Sequence, residues 1–594
     1  MPHRYLDATS GRLGLSTALR DSLREGYRAR DLRADILAGI VVGIVALPLA
    51  MALAIASGVP PQHGLYTSIV AGALIPLFGG SRMNVSGPTA AFVVLLAPVS
   101  ARYGPGGLML ASLLAGVMLL AMGLMRMGRL IQFVPHPVTT GFTAGIGVVI
   151  ATLQLKDFFG LTTGAMGDHY HEKVAALWRA APTFRWQELG IGAFTLAVLL
   201  LWPKLTKKIP SPLVAVTLAA GLAQLLPRFV PGFEVATIGT RFSFTQDGVV
   251  LPGIPRALPH FDWPWHYAGA DGQPLGLSFH LLQELLKPAF AIAALGAIES
   301  LLCAVVADGM AGTRHDPDAE LSAQGLGNIL APFFGGIAAT GAIARTATNI
   351  RSGARSPLAS FVHALFVLLA VLALAPLLGY LPMSALAALL LLVAWNMSEV
   401  RHFVHTLRVA PRSDMLVLLA CFSLTVAFDM VISVGVGIVL AALMFMRRMS
   451  DISGVNLAEE RHAHLKDPKL AGVVVYEIAG PLFFGAAEKF ASTLSPVAGR
   501  AQVVILQMDA VPVMDMTGLV ALESAIGKLH QRNTFVVLAG VQPAVRAVLD
   551  RAKLAEQPGK LSICVNDEEA LMVARLYVGL ADLPAAAEGV QGSA

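Results

Sequence analysis

Two stretches decide the fold: GGSRMNVSGPTAAF at residues 79–92 and GGIAATGAIARTATNI at residues 335–350. Each opens with Gly-Gly, runs through a short extended piece, and then starts a helix at a small residue beside a glycine. Both interrupt apolar sequence, and they fall at matching places in two halves of the chain, one entered from each face. Paired Gly/Pro-broken segments of this kind mark an inverted repeat with its binding site at the break. Two ordinary Gly-rich loops are the plainer alternative.

Around them the chain is strongly apolar. Of 594 residues, 55% are hydrophobic and 14% are charged, with a mean hydropathy of +0.67. Soluble domains carry about 25% charged residues, so this chain lacks what a water-facing surface needs. Residues 36–56, 107–125, 189–202, 358–378 and 414–428 are each long enough, or nearly so, to cross a hydrocarbon layer about 30 Å thick. The first 33 residues are polar and Arg-rich, and the first apolar run is too long for a signal peptide. Cys303, Cys421 and Cys564 lie far apart, without metal-ligand spacing or a disulfide framework.

Length and punctuation give about fourteen spans between residues 32 and 448. Counted from an N-terminal segment (1–31) in the cytoplasm, the inner loops collect Arg82, Arg126, Arg129, Lys204, Lys207, Lys208, Arg314, Arg351, Arg355, Arg401, Arg408, Arg412, Arg447 and Arg448. The short outer turns near 57–63, 335–340 and 379–382 hold neither Lys nor Arg. That asymmetry puts both ends of the membrane unit (32–448) in the cytoplasm.

A span can break at membrane depth only where its freed backbone groups are buried in protein or line a wet cavity. A helix beginning there aims unpaired N–H groups and about half a positive charge at that cavity. Two such starts facing each other make an anion site. Pro88, read as standing just inside the first start, loses nothing by lacking an N–H. Arg345 falls in the first turn of the second start. At that depth it needs a cavity or a partner, and its planar donor fork suits a carboxylate or sulfate. A structural ion pair is the alternative. Glu299, in AFAIAALGAIESLLCAVVAD, is the other intramembrane ionisable group, a proton-coupling carboxylate by default or else a hydrogen-bonded helix clamp. Arg345 contributes +1 and the two starts about +0.5 each. A dianion balances that sum only with Glu299 neutral, so anion loading and protonation should favour one another. Asp308 and Asp429 fall near span ends and are read as interfacial, and His136 and Asn396 as packing residues.

Beyond Arg448 the composition changes. Residues 449–470 read as a polar linker. Residues 471–580 read as a small α/β domain of alternating strands and helices: a strand pair in GVVVYEIAGPLFF, a helix in AEKFASTL, a strand in AQVVILQMD, a helix in GLVALESAIGKLHQR, a strand in NTFVVLAGV and a helix in PAVRAVLDRAKL. Residues 581–594, rich in Ala and Gly, read as a disordered tail.

RADILAGIVVGIVALPLAMALAIASGVPPQHGLYTSIV (33–70), the stretch at 79–92, LGAIESLLCAVVADGMAGTRH (295–315) and AQGLGNILAPFFGG (323–336) together resemble the SulP, or sulfate permease, family of anion transporters. The likeness runs from about residue 28 to 448. VPVMDMTGLVALESA (511–525) resembles the STAS domain that ends most of its members. Within the family the resemblance is greatest to the enterobacterial branch that takes up C4-dicarboxylates. It implies a polytopic α-helical membrane protein with seven plus seven inverted spans in core and gate domains, a cytoplasmic α/β STAS domain, and a homodimer in the bacterial inner membrane. Gly87, Pro88, Thr89 and Ala90 would form the first helix start, and Ala342, Ile343, Ala344 and Arg345 the second. Glu299 would face the site, and Leu49 and Met51 would line it from the first span. Many relatives carry Pro-Gln-Gly where this chain has Pro48, Leu49 and Ala50. Loss of the amide suits a substrate with a short hydrocarbon backbone, such as succinate, fumarate or aspartate. Asp515 and Thr517 occupy the turn that related anti-sigma antagonists use for phosphorylation, where a cytosolic protein partner would act. A plain helix N-cap is the alternative.

The expected function is proton-coupled C4-dicarboxylate uptake by alternating access, with membrane lipid as surroundings. Sulfate or bicarbonate transport is the rival of the same class, and an anion channel or a membrane anion sensor the rivals of another. No nucleotide loop, metal cluster, cofactor motif or Ser/His/Asp set points to an enzyme, and nothing in the sequence points to nucleic acid.

Overall fold

The computed structural model describes residues 14–129, 134–164, 166–167, 169–206, 209–246, 249–428, 430–452, 454–457, 472–483 and 501–581. Asp429, Lys207, Lys208, the AEKFASTL helix and the 581–594 tail beyond Ala581 lie outside them. The chain divides into two compact units, residues 1–438 and 439–594.

The first unit is helical. After α1 (Thr17–Arg24) come α2 (Ala29–Ala56), α3 (Pro61–Phe78), β1 (Ser86–Gly87), α4 (Ala90–Leu124), α5 (His136–Phe158), α6 (Tyr170–Ala180), α7 (Trp186–Leu205), α8 (Ser211–Leu225) and α9 (Ile238–Arg241). A hairpin of β2 (Ser243–Gln246) and β3 (Val249–Pro252) precedes α10 (Phe279–Ala311) and α11 (Pro317–Leu330). β4 (Thr340–Gly341), α12 (Ile343–Arg351), α13 (Leu358–Leu378), α14 (Met383–Ser398), α15 (Val400–Val409), α16 (Arg412–Ala427) and α17 (Met430–Ile452) follow. Among the described residues, eight helical stretches are long and apolar enough to cross a membrane, one of them running through α14 and α15 together. That is fewer than the roughly fourteen spans expected from length and punctuation, and helices shorter than these are outside the eight. Helix α4 bends at Gly104, whose φ is 73°, just before Pro105; a missing Cβ and a missing N–H are the usual causes of such a kink.

Helices α2, α3, α4, α10, α11, α12 and α13 pack as one group, and α5, α7, α8, α14 and α16 as another. Small residues bring the first group together. A Cβ on Gly116 of α4 would stand 2.6 Å from the Ile329 amide nitrogen of α11, and one on Gly39 of α2 would stand 2.7 Å from Val362 of α13. Backbones approach this closely only where side chains are absent. The segments that the charge pattern assigns to the inner face meet: Ser22, Glu25, Tyr27, Arg82, Thr313 and Arg355 line one cavity of about 450 Å³. The expected outer turns also meet, with His63 Nδ1 2.6 Å from the Gly335 carbonyl.

The second unit is an α/β sheet in the order β5 (Gly454–Leu457), β6 (Val473–Ala479), β7 (Val503–Ala510), β8 (Phe535–Ala539), β9 (Leu561–Cys564). β5 runs antiparallel to β6, and the remaining pairs are parallel. Strand β8 and the first six residues of β7 are buried, and apart from Gln507 they read as apolar runs. Four features depart from the sequence reading. β5 falls inside the expected linker, because alternating Val455 and Leu457 pair with β6. Among the described residues, the expected strand pair is one strand that ends before Gly480 and Pro481, followed by a single bridge from Leu482 to Met514. Beyond the helix Pro543–Arg551 stand β9 and a closing helix, Asp567–Ala581, that the sequence reading had not assigned. Last, the cap of the helix Met516–His530 is Asp515, which accepts the Gly518 amide at 2.7 Å. Thr517 stands exposed two residues past the cap, within the first turn.

Candidate anion site

β1 and β4 pair antiparallel, Ser86 opposite Gly341 and Gly87 opposite Thr340. The two interrupted spans therefore lie side by side, and each hands its chain to a helix within three residues: Ala90 opens α4 and Ile343 opens α12. Antiparallel pairing is what two oppositely oriented repeats require. The Ala342 amide extends the pairing to the Val85 carbonyl at 2.9 Å.

Neither start is capped by its own side chain. Thr89 is the N-cap of α4, but its hydroxyl donates to Glu299 Oε2 at 3.0 Å rather than accepting from the helix amides. Ala342, the N-cap of α12, has no side-chain acceptor. The first-turn N–H groups thus keep the partial charge that favours an anion. Pro88 is corrected in one respect: it precedes the N-cap, outside the helix rather than just inside it, and its carbonyl accepts Arg345 Nη2 at 2.7 Å. That bond ties the second half-helix to the first.

Arg345 is 1% exposed. Its Nε and Nη1 have no hydrogen-bond partner, so a charged fork with open donors sits beside both helix starts. A buried guanidinium left so is expensive without an anionic guest. Arg345 and Glu299 are near enough for their charges to act on each other. Glu299 is half-buried, and Ile343 and Ala344 at the α12 start are exposed, so this end of the site is open. Thr89, Ala90 and Ala342 are buried around it. Leu49 packs with Leu199, Ala215 and Leu389 of α7, α8 and α14, and Met51 is fully buried in α2.

The sequence reading missed the polar scaffold behind the site. Asn84 Oδ1 accepts from Thr346 Oγ1 at 3.2 Å and Cys303 Sγ at 3.1 Å, so Cys303 has a polar partner and is more than a small apolar filler. Ser300 and Thr340 share a hydrogen bond at 2.8 Å, joining α10 to β4 next to Glu299. Ser68 of α3 and His363 of α13 are fully buried, and Ser68 Oγ stands beside Arg345 Nη1 around the place where a Gly87 side chain would be. Polar residues at helical spacing within apolar spans were the available signal. Among the described residues no His/Cys/Asp/Glu group is arranged to hold a metal.

Two half-helices meeting over a buried arginine within a membrane unit suit a transporter of small anions. The comparisons with known proteins agree. The sulfate permease family model matches residues 32–421 and the STAS domain model residues 465–568; the chain belongs to the sulfate permease family. It is 39% identical to a putative sulfate transporter, YvdB, of Bacillus subtilis, over 85% of this chain and 91% of that one. It is 28% identical to the bicarbonate transporter BicA of Picosynechococcus, over 89% of this chain and 92% of the relative. Its fold matches the overall structure of SLC26A9 with a TM-score of 0.78 at 18% identity, covering 98% of both chains. It is a multi-pass anion transporter and not an enzyme.

Proposed function

We propose that the chain is a proton-coupled carrier of a small dianion, working by alternating access, with Arg345 and the α4 and α12 starts as the cationic pole and Glu299 as the group that carries the proton. The observation behind this reading is the pair of unpartnered Arg345 nitrogens beside two uncapped helix starts. The fixed positive charge amounts to about +2. With Glu299 ionised the site suits a monoanion, and with Glu299 protonated it suits a dianion, so proton and dianion load together.

Two dianions meet that balance. Sulfate is the substrate in the name of the 39% identical relative. A C4-dicarboxylate is the other, suggested only by the sequence, in which Leu49 and Ala50 stand where an amide is common; Leu49 itself packs against α7, α8 and α14. Bicarbonate, named for the 28% identical relative, is the monoanion that would travel without Glu299 protonation. The charge pattern supports cytoplasmic N- and C-terminal segments, and the bacterial relative supports a bacterial inner membrane.

The test is radiolabelled sulfate and succinate uptake into proteoliposomes holding the full chain, with and without an inward acid gradient, each competed by bicarbonate. Accumulation of either dianion that requires the gradient supports the proposal. Dianion flux indifferent to the gradient, or uptake of bicarbonate alone, overturns it.

A further inference from the structure

Helix α11 carries Glu320, Gln324 and Asn328 at i, i+4 and i+8, which places them in one row on one face. All three are buried, none more than 1% exposed. A buried polar row is costly in an apolar bundle unless every member finds a partner. The partners here are the two broken spans. Glu320 Oε2 accepts the amides of Gly80 and Ser81, both at 3.1 Å, while its Oε1 accepts Asn84 Nδ2 at 2.7 Å and Gln324 Nε2 at 3.2 Å. Gln324 Nε2 also donates to Ser86 Oγ, in β1, at 2.9 Å. Asn328 brackets Ala339, just before β4: its Nδ2 donates to the Ala339 carbonyl at 2.8 Å, and its Oδ1 accepts the Ala339 amide at 2.7 Å.

The β1–β4 pair is two residues long on each side. So short a ladder does not fix its own register, since even a full two-stranded hairpin is marginal in isolation. A slip of one residue would turn every side chain to the opposite face and move Gly87 away from Arg345. Register must therefore come from outside the pair. α11 is suited to supply it, because its backbone is pressed on α4: a Cβ on Gly325 would overlap Leu120, and one on Gly123 would stand 2.7 Å from the Ser322 amide nitrogen.

We propose that Glu320, Gln324 and Asn328 are positioning residues that gauge the two crossings against each other, and that they set the separation of the two helix starts and so the size of anion accepted. This rests on the anion-carrier reading above. Glu320 and Gln324 grip the first crossing and Asn328 the second. Since α11 is one rigid helix, the distance between its grips becomes the distance between the helix starts.

The test compares the full-length protein with Asn328→Ala, Glu320→Gln and the double variant Glu320→Gln/Asn84→Asp. In Glu320→Gln an NH2 group at the Oε1 position meets the Asn84 and Gln324 amide donors, and Asn84→Asp returns one acceptor to it there. Two readouts are taken: amide hydrogen exchange of peptides covering 79–92 and 335–350, and the KM and Vmax for sulfate and succinate uptake in proteoliposomes. Asn328→Ala and Glu320→Gln should each speed exchange at both crossings and raise KM about tenfold, the effect of losing roughly one buried hydrogen bond. They should also change the sulfate-to-succinate ratio, and the double variant should recover much of both effects. Unchanged exchange at the crossings overturns the proposal. Faster exchange with unchanged KM and an unchanged ratio overturns it too, leaving the row a plain structural support. Failure of the wild type to take up either anion counts against the carrier reading instead, and the exchange data then decide alone whether α11 sets the register.

Discussion

Gly87 has no side chain because the guanidinium of Arg345 occupies the place where one would be: a methyl group at its Cβ position would overlap Nη1. The two residues come from different halves of the chain, and the β1–β4 pairing brings them together. Gly87→Ala should therefore push the guanidinium from its seat between the helix starts. Overpacking of this kind costs about 1–3 kcal/mol. At least about fivefold weaker uptake is expected, appearing in KM, from protein that still elutes as a monodisperse species in detergent. Normal KM in Gly87→Ala would show that Arg345 does not need its present position.

Arg345 itself should not tolerate lysine. Its fork ties α12 to the Pro88 carbonyl with one nitrogen and leaves two others open, a division that a single ammonium on a flexible stem cannot reproduce. Arg345→Lys and Arg345→Ala should both reduce uptake about 10–100-fold, the span expected when a charged hydrogen-bond partner worth roughly 1.5–3 kcal/mol is lost. Initial rates in proteoliposomes measure this. A lysine variant with wild-type rates would mean that only charge matters there.

Much of this was legible before any coordinates. Apolar run length gave the membrane unit, and the Gly-Gly repeats at 79 and 335 gave the paired helix starts, because only a buried or wet cavity tolerates a broken span. Arg345 and Glu299 stood out because charge is rare at that depth. What the sequence could not show was which polar residues of other helices hold the breaks. Glu320 lies only four residues into α11 and reads as a span-end charge, and nothing local says that it reaches back to Gly80 and Ser81. The misplacement of Pro88 has a similar cause: a proline usually stands at the first helical position, but here Thr89 takes the cap in order to reach Glu299. In the second unit, β5 was hidden because two apolar residues in a polar stretch make too short a pattern to identify a strand.

Glu299 makes a separate prediction. Its contact with the Thr89 hydroxyl couples the state of the carboxyl to the cap of α4, so its protonation changes both the charge and the geometry that an anion meets. Glu299→Gln keeps the shape and fixes the neutral state. Dianion binding, followed by displacement of labelled sulfate, should persist, while the dependence of uptake on an inward acid gradient should disappear. Retention of full gradient dependence in Glu299→Gln would place proton coupling elsewhere.

His315 lies beyond the end of α10, where its ring Nδ1 and its own amide both meet Asp308 Oδ2, at 2.7 and 2.8 Å. Thr313 Oγ1 donates to the other Asp308 oxygen at 2.7 Å, so the carboxylate closes the turn between α10 and α11. Burial of the ring disfavours its charge, but the hydrogen bond and charge of Asp308 outweigh it and raise His315 above the usual histidine range. The sign follows by linkage. A pKa raised on folding stabilises the native state fully below the unfolded value, about 6.5, and that contribution fades as pH rises through the folded value. The turn supports α11, which in turn grips both crossings, so its loosening should be visible in the membrane unit. Thermal unfolding of the purified full chain between pH 5.5 and pH 9.5 checks this. Wild type should exceed His315→Ala by the widest margin at the acidic end, with the gap narrowing toward the alkaline end. A gap that is constant with pH, or that widens as pH rises, would mean the His315–Asp308 pair adds no stabilisation through charge.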